Sequence, residues 1–122
     1  MTTGSDRPTF PQHLTITTAP SPSGTLTITV TGDLERDTAT TFRHHLTGIL
    51  DGHHAGDLDI DLSAVEFCDL AGLRLLYALE RATDGSHQVR ITAASPAVDV
   101  LLQLCDTPAL LGYTPPPRPY RH

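Results

Sequence analysis

The histidine doublets His44-His45 and His53-His54 are the first residues whose type and spacing suggest chemistry, namely metal binding. Adjacent residues on a helix project about 100° apart, and no H-x-x-x-H pair exists to set two imidazoles on one helical face. Exposed histidines and no metal site are the expectation. Asp57, Asp59 and Asp61 open like a calcium loop. The loop's glycine would fall at Leu62 and its last carboxylate at Cys68, so the calcium reading fails. Ser63 could be a nucleophile, but no histidine stands near it, and such hydroxyls ordinarily bond their local backbone. No P-loop, G-x-S-x-G elbow or G-x-G-x-x-G run occurs, so no cofactor is expected.

The remaining candidate is Asp69-Leu70-Ala71-Gly72-Leu73. Before it, Asp57 to Leu62 alternates polar and apolar residues, as a strand with one buried face does. After it, Leu73 to Ala82 reads as a helix with a broad apolar side. Asp69 falls where an N-cap should, its carboxylate able to accept from free N–H groups of the first turn. Ala71 and Gly72 leave that turn almost bare. An uncovered helix start is positive and donor-rich, and suits an anion or a partner's backbone. The plainer reading is an ordinary strand–loop–helix joint with a good cap. Leu70 likewise has two readings, an apolar anchor on an exposed helix start or a first-turn residue folded onto the core.

These residues must be held by the elements around them. Residues 1–12 are polar and broken by two prolines, a flexible lead-in. Leu14 to Thr17 reads as a first strand, Pro20 to Gly24 as a turn, and Thr25 to Thr31 as a second strand that alternates Leu26, Ile28 and Val30 with threonines. The two should form an antiparallel hairpin. Ala39, Phe42, Leu46, Ile49 and Leu50 sit at helical spacing between about Asp37 and Leu50, ahead of a stop at Asp51-Gly52. Val89, Ile91 and Ala93 make a fourth strand. Ser95-Pro96 opens the last helix with a serine cap and a proline in the first turn, and Val98, Leu101, Leu102 and Cys105 would face inward from it. The order is β-β-α-β-α-β-α. It predicts a single α/β domain over 13–112, with a mixed sheet of four to five strands and helices mainly on one face. Residues 113–122 should be a Pro-rich flexible tail.

Composition narrows the partners. The formal charge is −6 and the chain has no lysine, which argues against nucleic acid, whose binders cluster cations to displace counterions. The arginines are scattered, and no basic patch is visible. No apolar run is long enough to cross a bilayer, and the polar N-terminus does not look like a secretion signal, so no membrane insertion and a cytoplasmic location are expected. Cys68 and Cys105 lie among apolar residues without C-x-x-C company, and read as buried free thiols.

Gly32-Asp33-Leu34-Glu35, Asp61-Leu62-Ser63 and Phe67-Cys68-Asp69-Leu70-Ala71-Gly72-Leu73, taken with the element order, resemble the STAS domain of the anti-sigma factor antagonist type over roughly residues 13–112. The resemblance implies a binding protein and not an enzyme. Its partner would be an anti-sigma factor with a serine-kinase fold, whose capture frees a sigma factor for transcription. The implied docking residues are Asp33, Asp69, Leu70, Ala71, Gly72 and Leu73. In such antagonists the kinase phosphorylates a hydroxyl residue just before the signature glycine. Here that position is Ala71, so the phosphoacceptor is lost. A homodimer stays open. Two other readings do too: a STAS subunit of a transport or signalling assembly, and a small nucleotide- or metal-binding enzyme using His53 or His54.

Overall fold

The computed structural model describes residues 14–52, 57–82 and 88–117. The lead-in at 1–12 and the His53-His54 doublet lie outside them. The elements are β1 (Leu14–Pro20), β2 (Leu26–Leu34), α1 (Arg36–Gly52), β3 (Leu58–Cys68), α2 (Leu70–Ala82), β4 (Val89–Ala94) and α3 (Pro96–Leu104), in the expected order. The four strands form one sheet in the order β1-β2-β3-β4.

β1 and β2 are the antiparallel hairpin, paired from Leu14 with Gly32 to Pro20 with Leu26. Its turn is closed by Ser21 N–H donating to Thr25 O at 2.8 Å, and needs glycine at 24, where φ is +93°. β3 runs parallel to both β2 and β4, because a helix carries the chain back between each pair. Alternation then sorts the side chains. Ile28, Val30, Leu58, Ile60, Leu62, Val89 and Ile91 are buried with Phe42 and Leu46 of α1, Leu73 and Leu76 of α2, and Val98 and Leu102 of α3 in one core. Each such large apolar side chain contributes about 1.5–3 kcal/mol on burial. On the other face, Asp59 and the half-exposed Arg90 pair at 3.0 Å, a contact that solvent screening leaves worth little.

β3 is longer than its alternation suggests. The sequence pattern ends at Leu62, but pairing with β2 continues to Cys68 through two register shifts. Leu62, Val65 and Cys68 are buried, so the inward spacing lengthens from two residues to three. Each bulge adds one residue and keeps the next apolar side chain pointing inward. The first is held by Asp61, whose Oδ1 accepts from Ser63 N–H (2.8 Å) and Ser63 Oγ–H (2.6 Å). Ser63 is thereby a local brace. A similar shift in β4, where Thr92 is passed over, packs Ala94 against the core in place of the expected Ala93.

α3 starts as its sequence requires, with Ser95 Oγ accepting from Val98 N–H at 3.3 Å and Pro96 following. Cys105, expected to face inward, is exposed at the end of the helix, whereas Cys68 is buried. Beyond α3, Leu110 and Tyr113 bond each other's backbone around Leu111 and Gly112, both at positive φ. Leu111 O accepts from Ile91 N–H at 2.9 Å, which covers part of the outer edge of β4.

Candidate functional site

Because β2 and β3 are parallel, their C-terminal ends meet on one side of the sheet, where α1 and α2 both begin. Ligand sites of open α/β sheets gather at such strand ends. Asp69 organises the junction. Its N–H donates to Leu34 O at 3.2 Å, and its Oδ1 accepts from Gly72 N–H at 3.0 Å, the expected N-cap bond. Its Oδ2 also accepts from Arg36 N–H in the first turn of α1, at 3.4 Å. One carboxylate thus serves the start of its own helix and that of a helix whose first residue, Arg36, lies 33 positions earlier in the sequence. The start of α2 is therefore not the uncovered positive spot that its bare sequence suggests, since a carboxylate already lies against its donors.

Gly72 is required by close approach. A Cβ there would lie 2.4 Å from Leu34 O, so no side chain fits between α2 and the end of β2. A second brace comes from Thr38, a buried residue that sequence reading passed over. Its hydroxyl donates to Asp33 O at 2.7 Å and accepts from Glu35 N–H at 3.0 Å. A threonine in the first turn of a helix pattern is a weak signal by itself; the bond to Asp33 exists only because β2 turns directly into α1.

With the backbone held this way, the predicted site residues separate into two kinds. Gly72 is buried, and Leu73, with 1% of its surface exposed, belongs to the core and pins α2 to the sheet. Asp33 and Asp69 are half-buried. Leu70 is 53% exposed, which excludes folding back onto the core, and Ala71 beside it is partly exposed. Phe67, paired in register with Asp33 and 49% exposed, joins them. Sequence reading missed Phe67 as a surface residue because the second bulge, which turns it outward, has no local signature. Two large apolar side chains are thus exposed around this junction, Phe67 at the end of β3 and Leu70 at the start of α2.

Cys68 donates to Asp69 O at 3.7 Å and is buried. Burial first, and the neighbouring Asp69 charge second, push its thiol from the ordinary 9.0 up to about 12, so it stays protonated and a poor nucleophile. His44 and His45 are exposed on α1. Among the described residues no group of three or more His, Cys, Asp or Glu side chains could hold a metal ion, and no helix is long and apolar enough to cross a membrane.

Comparisons with known proteins agree with this arrangement. An anti-sigma factor antagonist from Mycobacterium paratuberculosis superimposes with a TM-score of 0.67 at 26% identity, over 80% of this chain and 81% of that one. The antagonist SpoIIAA in its unphosphorylated form shares the fold, with a TM-score of 0.59 at 18% identity over 75% and 81% of the two chains. No curated protein matches the sequence. Residues 17–112, which include both bulges, Asp69 and the whole of α2, match the family described as "Mlab, STAS domain", and the chain belongs to the STAS domain family.

Proposed function

We propose that this protein is a cytoplasmic, non-enzymatic anti-sigma factor antagonist whose docking surface is centred on Leu70 and Ala71 at the start of α2. Its partner in this reading is an anti-sigma factor with a serine-kinase fold, and binding frees a sigma factor. The observation that carries the proposal is the exposed Leu70 on the capped start of α2, with a second exposed apolar residue, Phe67, three positions earlier at the end of β3. Likeness to the Mycobacterium paratuberculosis antagonist supports it. Apolar anchors held on fixed backbone are the residues that dominate binding energy.

Ala71 stands at the position where such antagonists carry their phosphoacceptor. A phosphate would bring close to two negative charges there, next to the Asp69 carboxylate. Alanine can accept none, so the module stays in its binding-competent form. The test is capture of partners from the cell extract with the wild type, Ala71→Ser and Ala71→Asp. The expected result is an anti-sigma kinase bound by the wild type, released from the serine variant when ATP is added, and absent with aspartate. Retention of a different complex by all three variants would move the protein to a transport or signalling assembly. Kinase-dependent phosphate on Ser63 with loss of binding would refute the permanently competent state.

A further inference from the structure

α1 and α2 pack side by side, and between them runs an open groove of about 260 Å³ that begins at Ala71. It is lined by Ala39, Thr40 and Arg43 from α1 and by Ala71, Arg74, Leu75 and Ala78 from α2, so each helix contributes one arginine and at least one alanine. Both arginines are exposed, and neither has a hydrogen bond or ion pair among the described residues. Arg36 lies seven residues before Arg43 on α1, and Arg81 seven after Arg74 on α2. Two turns of helix, about 10 Å, therefore separate like positions on each helix. Glu80 of α2 does not line the groove, and its Oε2 accepts from Leu111 N–H at 2.8 Å. The fold thus gathers cations that look scattered in the sequence.

We infer that this groove receives an acidic segment of the protein partner, with Asp or Glu side chains pairing to Arg43 and Arg74. The inference rests on the docking reading above and extends that surface from the start of α2 along the α1–α2 seam. Two guanidinium groups lining one groove repel, and carboxylates bound there offset the repulsion, each able to accept two bonds from a guanidinium fork. Three of the seven lining residues are alanines, which leave room for a polypeptide backbone. A small free anion gains less, because the groove is open and offers no buried polar donor. Nucleic acid is disfavoured by the net charge of −6.

The experiment is an amide NMR titration of the full chain with a synthetic Glu-rich helical peptide. A Lys-rich peptide, a single-stranded oligonucleotide of equal length and inorganic phosphate serve as the other probes. The Glu-rich peptide should shift Ala39, Arg43, Ala71, Arg74 and Ala78, with affinity at least tenfold lower for Arg43→Glu/Arg74→Glu and several-fold lower for Arg43→Gln/Arg74→Gln. Thermal melts should show all variants folded. No shift at the groove, equal binding of the charge-reversed protein, or equal shifts with the oligonucleotide or with phosphate alone would overturn the inference. Leu70→Ala, which removes the apolar side chain without adding charge, separates it from the docking reading, since it should leave peptide binding intact while weakening binding of the anti-sigma factor. If the peptide binds and no anti-sigma factor does, the groove stands and the proposed function falls. If the anti-sigma factor binds wild type and charge-reversed protein alike, the groove inference falls and the docking reading stands.

Discussion

The start of α2 and the side of α3 that carries the tail are built to opposite ends. Around α3 the chain closes on itself. Tyr113 Oη donates to Asp99 Oδ1 at 2.6 Å, Gln103 Nε2 donates to Pro116 O at 2.6 Å, and the hydroxyls of Tyr77 and Thr107 bond each other. The sequence places the domain limit at residue 112, and the described chain runs on to 117 along these contacts. Around the start of α2, by contrast, the polar groups are occupied with backbone, and apolar Phe67 and Leu70 are left exposed. Polar closure on one side and apolar exposure beside a capped helix start on the other separate the part of the domain that holds itself together from the part proposed to dock a partner. The division is not complete, since Val100 and Leu104 of α3 also remain exposed.

The sharpest way to break the frame is at Gly72. Replacing it with valine drives a side chain into the Leu34 carbonyl, and should cost about 3 kcal/mol of stability. Urea unfolding would show a lower midpoint, and an unchanged midpoint would mean that the close approach is not needed. Asp69→Ala removes bonds to two helix starts and should cost about 2 kcal/mol, against about 1 kcal/mol for Ser95→Ala, which uncaps a single helix. Equal losses in the two unfolding curves would deny Asp69 its double role.

Leu70→Asp sharpens the comparison from the other direction. It should change stability by less than about 0.5 kcal/mol, as exposed substitutions usually do, yet weaken partner binding at least tenfold, or about 1.4 kcal/mol. Calorimetry on the complex with the proposed anti-sigma partner measures the second quantity. Tyr113→Phe should do the reverse, costing about 1 kcal/mol of stability through the lost hydrogen bond with no change in binding.

The smallest effect is alkaline. The Cys68 thiol is held at about 12 against an ordinary 9.0, and the Tyr113 phenol at about 12 against 10.0, through burial first and then its bond to Asp99. Folding therefore favours the protonated forms. Their contribution is intact below pH 9 and declines as the pH rises towards 12. Melts across that range should show a falling midpoint. Alkylation of the native protein at pH 8 should modify the exposed Cys105 and spare Cys68, with both reacting in urea.

Much of this was legible before the fold. The alternation of Leu26, Ile28 and Val30, the stripe of Phe42 and Leu46, and the caps at Asp69 and Ser95 are local patterns, because each depends on residues a few positions away. The end of β3 was not legible. Its two bulges are stable only against β2, so Ala64 to Cys68 look like loop until the partner strand is in place. Leu70 had two readings for a similar reason, since whether a first-turn residue is covered depends on which elements pass over it.

By itself, then, the sequence determined the element order, the inward faces, the two caps and the alanine at the signature position, all properties of near neighbours along the chain. Tertiary structure decided the rest. Parallel pairing of β2 and β3 brought two helix starts to one carboxylate, put the Leu34 carbonyl where only glycine fits, and turned Phe67 outward. It also brought Arg43 and Arg74 to one groove. Contacts between residues some 30 positions apart arise from strand register and helix packing, and no local pattern encodes them.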